Sequence, residues 1–368
     1  MAGSLNDIKE TNYSTRIILL LSLFTFHFSF FTFGQSDLSI GQWSEHLPYN
    51  GGRTVTQSPT RVYYGSEFAM IAISKADTSQ VEFFSKVDGL SDVKPSWIRY
   101  HDPLRTLIIG YANGNIDLMD TNGVTNVNDI VRNTSIQGDK RITNIYTDDG
   151  SNIYLSTPFG LLVLDLVSRQ FQSTVFTSSP VKAFTKYQGK FYLAVESGLY
   201  SYDPLSGNII EDFSSWEKVV VSGVPALYTS QSVAVYNDIL YAGIDGDLYK
   251  FDQGEFIFWH EIPGYSLTFI SPEGQNLMVG FLCDAGCIGK VAYFKDSIFW
   301  HENGINCTYR PSYAIEDEKG RIWYADEFPE YRVAQNHFSP CDRLTYNTPY
   351  SGSVSEMEVK EGVLYVAT

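Results

Sequence analysis

Ile153-Tyr154-Leu155-Ser156, a hydrophobic pair carrying Tyr and then a small residue, is one of eight versions of a single phrase in this chain. The others are Val62-Tyr63-Tyr64-Gly65, Leu107-Ile108-Ile109-Gly110, Phe191-Tyr192-Leu193-Ala194, Leu240-Tyr241-Ala242-Gly243, Leu277-Met278-Val279-Gly280, Ile322-Trp323-Tyr324-Ala325 and Leu364-Tyr365-Val366-Ala367. From first residue to first residue the steps are 45, 46, 38, 49, 37, 45 and 42. A period of roughly 40–45 residues built from strands is that of a β-propeller blade.

The unit around this phrase shows how a blade is assembled. Ile142-Thr143-Asn144-Ile145-Tyr146 alternates apolar and polar residues, as a half-buried strand does. Asp148 to Asn152 turns the chain, Ile153 to Thr157 is a second strand, and Pro158-Phe159-Gly160 a second turn. Leu161-Leu162-Val163-Leu164 is continuously apolar, so this third strand is expected to be covered on both faces. Phe171 to Phe176 supplies a fourth, outer strand. The third strand recurs from Gly114 to Asp120, Gly198 to Asp203 and Gly246 to Asp252. Its Gly permits the positive φ of a hairpin entry, and its Asp turns back on the following backbone at the exit. Turn chemistry accounts for these aspartates better than catalysis does.

A second repeat, Phe258-Trp259-His260-Glu261, returns as Phe299-Trp300-His301-Glu302, with Trp43-Ser44-Glu45-His46 a scrambled relative. Adjacent His and Glu point to opposite faces of a strand, which favours outer-strand structure over a metal or acid–base pair. After the first forty residues no window has helical periodicity, so very little helix is expected. Units beginning near Thr54, Ser96, Ile142, Val181, Ser232, Ser266 and Ser312 make seven. The expected fold is therefore all-β: a seven-bladed propeller of four-stranded antiparallel blades over residues 54–350. Residues 35–53 would be a strand preceding or closing the ring. Residues 351–368 would start a further blade or second propeller, cut off inside a strand, as in a piece of a longer protein.

The net charge of -16, from 42 acidic against 26 basic residues, argues against a nucleic-acid surface. Arg16 followed by an apolar run from Ile17 to Phe33 reads as a cleaved signal peptide over 1–34, with the cut near Gly34 and Gln35. No Cys lies near that cut, which argues against a lipoprotein. Export makes Cys283, Cys287, Cys307 and Cys341 candidate disulfide partners rather than metal ligands. Cys283 and Cys287 bracket a hairpin tip and could pair across it, although four cysteines allow three connectivities.

No nucleophile elbow, phosphate loop or His pair at ligand spacing is present, so no catalytic residue, metal or cofactor is assigned and a non-enzymatic role is expected. Many acidic residues leave a glycan-cleaving pair open. Binding is the better reading, at a channel mouth lined by loops that feed the innermost strands. Lys94, Asp139, Lys140 and Arg141 lie in two such loops and are the candidate site for an anionic sugar through charge-assisted hydrogen bonds. The plainer reading makes them solvated loop charges. Trp97 and Tyr146 are assigned to the core.

Several phrases together resemble the N-terminal propeller of PorZ-type proteins, surface components of the bacterial type IX secretion system. They are Gly41-Gln42-Trp43, His46 to Asn50, Gly89-Leu90-Ser91-Asp92, Ile109 to Leu118, Gly138 to Tyr146, Tyr154 to Gly160 and Val163 to Leu166. The likeness is dense from Gly41 to Leu166 and merely blade-like beyond. It implies tandem propellers, a sorting domain, and an outer-membrane-associated complex with a PorU-type sortase and a PorV-type barrel that attaches cargo to anionic lipopolysaccharide. Two other classes remain open: the sensory ectodomain of a hybrid two-component regulator, and a secreted polysaccharide-active propeller.

Overall fold

The computed structural model describes residues 47, 49, 51–295, 298–301, 308–327, 334–336, 342–343, 355–360 and 363–367. The expected signal peptide over 1–34, most of 35–53, and both Cys307 and Cys341 lie outside them.

Antiparallel sheets follow one another along the chain. Sheet 1 holds Thr54–Gln57, Arg61–Gly65, Met70–Ser74 and Val81–Phe84; sheet 2 holds Pro95–His101, Thr106–Tyr111, Ile116–Asp120 and Gly123–Val127. Sheet 3 holds Asn144–Tyr146, Asn152–Thr157, Gly160–Asp165 and Gln170–Phe176; sheet 4 holds Val181–Tyr187, Lys190–Val195, Gly198–Tyr202 and Glu217–Lys218. Sheet 5 holds Ser230–Tyr236, Ile239–Ile244, Asp247–Asp252 and Glu255–His260; sheet 6 holds Tyr265–Ser271, Leu277–Cys283, Lys290–Lys295 and Ile298–His301. Sheet 7 holds Pro311–Glu316, Ile322–Asp326, Ala334–Asn336 and Asp342–Arg343. The first strand of each sheet touches the first strand of the next, and that of sheet 7 touches that of sheet 1. This closes a propeller around a central channel.

The expectation of a seven-bladed propeller of four-stranded antiparallel blades needs correction: the described residues form six full blades. These are sheets 1 to 6, each with at least three strands of four or more residues. Sheet 7 keeps a full inner pair, but its outer strands shrink to three and two residues joined at two positions. The sequence between its second and last strands contains Pro329 and Pro340, which cannot donate to a ladder. Within the stretch expected to start a further blade, Glu356–Lys360 pairs with Val363–Ala367 as a two-stranded sheet that leaves Met357, Val359 and Tyr365 exposed.

Within the blades the physics is that of alternation. Leu161 and Val163 face one core cluster while Leu162 and Leu164 face another, so the third strand of sheet 3 is covered on both sides. Removing such a side chain to Ala typically costs about 2–5 kcal/mol. Gly114 has φ 86° at its hairpin, and a Cβ there would sit 2.9 Å from the Lys140 carbonyl oxygen. The Asp165 carboxylate accepts from the Val167 and Ser168 amides, and the Asp120 and Asp203 carboxylates from Asn122 and Leu205. These aspartates thus hold turns, as the recurrence suggests. Both His-Glu phrases start on fourth strands, with His260 and His301 the last strand residues. Helix is confined, among the described residues, to one turn, α1 (Asp129–Arg132), and a 3-10 turn at Phe213–Ser215.

The seam between sheets 7 and 1 is closed by polar side chains. Tyr64 donates to the Tyr324 carbonyl (3.1 Å), Gln57 to the Glu316 carbonyl (2.7 Å) and Ser312 to the Gly52 carbonyl (2.9 Å). Lys75, itself buried, pairs with Glu318 at 2.7 Å. Arg321 bridges the buried Asp317 (2.6 Å) and the Lys75 carbonyl (2.9 Å). Asp317 also accepts from the Trp323 indole at 3.0 Å.

Candidate functional site

Five inner strands carry a bulge near their entry, directly after the first residue at Pro95/Trp97, Val181/Ala183, Ser230/Ser232 and Pro311/Tyr313 and two residues further in at Leu267/Phe269. The extra residues are Ser96, Lys182, Gln231, Thr268 and Ser312, all polar. A bulge re-aims one side chain, and here three of the five, Ser96, Thr268 and Ser312, line one cavity of about 320 Å³ at the channel mouth. Hydroxyls at this level also tie neighbouring sheets together. Ser96 donates to the Ile142 carbonyl (2.8 Å) and Thr143 to the Val181 carbonyl (2.8 Å), much as Ser312 does across the seam. Thr268 differs: its buried hydroxyl has no hydrogen-bond partner among the described residues.

Three guanidinium groups face the same cavity, from three sheets. Arg53 precedes sheet 1, Arg141 precedes sheet 3, and Arg310 precedes sheet 7. Each has a loose carboxylate partner: Arg53 with Glu67 at 3.7 Å, Arg141 with Asp139 at 4.0 Å, Arg310 with Glu327 at 3.9 Å. Such exposed, long pairs are weak and leave most of the guanidinium donors available. The backbone amides of Tyr309 and Arg310 are anchored by the buried Asp326 carboxylate (2.6 and 3.0 Å), which fixes the loop that presents Arg310. A cluster of three guanidiniums is a ready-made receptor for phosphate or carboxylate groups.

The four candidate residues separate on inspection of their partners. Arg141 reaches the cavity, with Asp139 beside it. Lys140 points elsewhere: its ammonium donates to the carbonyls of Ile130 (2.9 Å), Val131 (3.2 Å) and Asn133 (2.8 Å), closing the C-terminal end of α1. That is the place where a cation is favoured by unpaired carbonyls. Lys94 is exposed, at φ 63°, and is not among the residues lining the cavity. Trp97 is half-buried: it packs on the core and also lines the mouth. Its ring meets Tyr313 edge-on at 5.0 Å, and Tyr313 meets Phe269 at 5.2 Å, an aromatic layer inside the channel.

Beyond this layer lies a second cavity of about 300 Å³, lined by Arg99, Asn144, Tyr146, Thr147, Thr185 and neighbours. The Arg99 guanidinium is paired with the Glu273 carboxylate, both largely buried. Tyr146, assigned to the core from sequence, lines this lumen while packing on sheet 3 and sheet 4 residues. Near the sulfur pair, Cys283 and Cys287 form a disulfide with a Cα separation of 5.2 Å between the second and third strands of sheet 6. Leu282, next to it, lines the mouth. Among the described residues no group of acidic, His and Cys side chains is arranged to hold a metal, and no helix is long and apolar enough to cross a membrane.

Arg53 and Arg310 were not singled out from sequence. They lie 257 residues apart and meet only because the ring closes. A polar residue interrupting alternation near strand entry was the one local signal, at Ser96, Thr268 and Ser312.

Residues 62–217 match the family model of the N-terminal β-propeller domain of PorZ from the type IX secretion system. The structure of PorZ, a bacterial surface component of the type IX secretion system of Porphyromonas gingivalis, superposes with a TM-score of 0.72 at 19% identity. That match covers 89% of this chain and 42% of the PorZ chain. The extracellular domain of a hybrid two-component system protein from B. thetaiotaomicron gives 0.59 at 15% identity, covering 90% of this chain and 46% of that one. The designed protein Ika8 gives 0.52 at 12% identity, covering 88% and 94%. The chain thus spans less than half the length of the two natural proteins. No curated protein sequence matches it.

Proposed function

We propose that this chain, whose residues 62–217 match the PorZ N-terminal propeller model, serves as a non-enzymatic, exported surface component of a type IX secretion system. In this reading the arginine-lined channel mouth binds the anionic groups of lipopolysaccharide. The domain thereby helps a complex containing a PorU-type sortase and a PorV-type barrel to anchor cargo. The observation that carries it is the convergence of Arg53, Arg141 and Arg310 on one cavity that also holds the unpartnered Thr268 hydroxyl. A phosphate seated there would gain charge-assisted bonds from several blades and give that hydroxyl an acceptor. Glu327 also lines the cavity, so its lining carries two positive charges in excess, and on a protein of net charge -16 that excess would guide an anion to the mouth rather than to the flanks.

The test is binding of the purified chain to phosphorylated lipopolysaccharide, with the same material after phosphatase treatment as the control. Arg53→Ala/Arg141→Ala/Arg310→Ala should weaken binding by roughly tenfold or more, since each charge-assisted bond is worth about 1.5–3 kcal/mol. Lys140→Met should not change the affinity, its ammonium being committed to α1. Equal binding by the triple variant and the parent, or by treated and untreated lipopolysaccharide, would overturn the reading. In a producing bacterium, deletion of the whole reading frame should release cargo unanchored.

A further inference from the structure

The gaps between sheets repeat the same register, so one gap can be read against another. In the gap between sheets 3 and 4, Lys186 sits opposite Phe191, and Tyr154 sits on the second strand of sheet 3. The Lys186 ammonium lies over the Tyr154 ring at 4.6 Å and donates to Asp148 at 2.6 Å. In the gap between sheets 1 and 2 the register of Tyr154 is held by Tyr63, and that of Lys186 by Tyr100, opposite Leu107. The two tyrosines stack with centroids 6.2 Å apart and planes 13° from parallel. Among the described residues no cation lies over this pair in the way that Lys186 lies over Tyr154.

What remains there is a groove of about 830 Å³, floored by Tyr63, Phe84, Tyr100, Leu107 and Met119. Its charged lining is Arg61, Glu82, Asp102, Arg105 and Asp120. Arg61 and Glu82 satisfy each other through two short bonds of 2.5 and 2.6 Å. Asp102 and Asp120 form no ion pair with the described residues; Asp120 accepts one amide, from Asn122. Three carboxylates against two guanidiniums leave the lining one negative charge in excess. Neither phenol hydroxyl of the tyrosine pair makes a hydrogen bond with the described residues. The groove therefore offers aromatic faces, free acceptors and spare carboxylate charge, and lacks the ammonium that completes the equivalent gap.

We propose that the groove between sheets 1 and 2 is a docking site for a basic, extended segment of a partner protein. A Lys or Arg side chain of that segment would lie on the Tyr63–Tyr100 pair and be held by Asp102 and Asp120, in the manner of Lys186 on Tyr154 and Asp148. Cation–aromatic contact and charge-assisted bonds from two carboxylates supply the recognition. Arg105 on the same lining selects against a segment with several adjacent cations and favours spaced ones.

The experiment measures binding of a short, fluorescent, alternating lysine–glycine peptide to the whole chain at physiological salt. Asp102→Asn/Asp120→Asn should lower its affinity about tenfold, the effect of one lost pair of this kind. Tyr100→Lys, which places an internal ammonium where Lys186 sits in the other gap, should lower it at least as far. The exposed pair Asp252→Asn/Glu255→Gln, on sheet 5, removes equal charge and should leave it unchanged. All variants are checked for the parent's melting temperature, so that loss of folding is not read as loss of docking. Groove variants that bind like the parent would overturn the proposal, as would displacement of the peptide by maltohexaose, which would reassign the groove to a neutral glycan. The mouth arginines take no part, so failure here leaves the lipopolysaccharide reading standing and the reverse holds too.

Discussion

Sheet 1 treats its two neighbours differently. Toward sheet 7 it is bridged: Lys75, Gln57 and Tyr64 cross the seam to Glu318, Glu316 and Tyr324, with Arg321 and Asp317 buried behind them. Toward sheet 2 it leaves a groove whose Asp102 and Asp120 have no ion-pair partner among the described residues. At both boundaries the first strand of one sheet packs against the first two strands of its neighbour. The difference is which side chain stands at the boundary: a long cation closes one gap, and a planar phenol leaves the other open. Ring closure needs a seam that does not slide, whereas a gap away from the seam is free to recognise something else.

The strongest way to break the contrast is at Asp317. Its carboxylate receives the Arg321 guanidinium, the Arg321 amide and the Trp323 indole while almost fully buried. Asp317→Ala would leave Arg321 buried without its counter-charge, and losses of about 3–5 kcal/mol are usual for such a change. Thermal or urea unfolding should show it, whereas Asp102→Ala, on the open side, should shift stability by less than about 0.5 kcal/mol. Comparable losses from the two would mean that the gaps are not energetically distinct.

Acid should sharpen the same contrast. Burial pushes the Asp317 carboxyl up, but the bonds from Trp323 and Arg321 outweigh it and hold the group below its ordinary 3.8. Glu318 is likewise held below 4.5, burial being outweighed by the bond from Lys75. For carboxylates lowered on folding, the contribution to stability is present above the unfolded values and is lost as pH falls through the folded ones. The seam should therefore weaken below about pH 4. Melting temperature followed from pH 6 to pH 3 should fall in the parent and more shallowly in Asp317→Asn.

A smaller effect than at Asp317 belongs to the internal ion pair of the gap between sheets 3 and 4. Lys186 and Asp148 are each 30% exposed, and Lys186→Met should cost no more than about 1 kcal/mol. If Lys186→Met also gains measurable binding of the lysine–glycine peptide, the ammonium is what distinguishes a closed gap from an open one. Circular dichroism of the chain from residue 46 onward should be all-β; appreciable helix would sink the propeller itself.

Much of this fold was legible beforehand. The phrase around Ile153 and Tyr154 located the second strands, continuous apolar character at Leu161 to Leu164 announced a strand covered twice, and Gly114 and Asp165 marked turns that exist for the stated reasons. The last full blade was overcounted because a period reports inner strands well and outer strands poorly. Leu-rich inner strands are buried and patterned, while short outer strands such as Ala334–Asn336 carry little pattern to read. At the site, position in a loop near an inner strand was readable, but the use of each charge was not. Lys140 and Arg141 are adjacent and alike in sign, yet one ammonium is consumed by α1 and one guanidinium opens onto the channel.

The sequence by itself determined the strand content, the repeat, the hairpin turns and the ordering of strands within each sheet, because these depend on residues a few positions apart. Tertiary structure alone decided which arginines share the mouth, which gap Lys186 fills and which one Tyr100 leaves open. Arg53, Arg141 and Arg310 meet, and Lys75 finds Glu318, only after the ring has closed. Contacts between residues hundreds of positions apart are set by the rotation from sheet to sheet, and no local pattern encodes that distance.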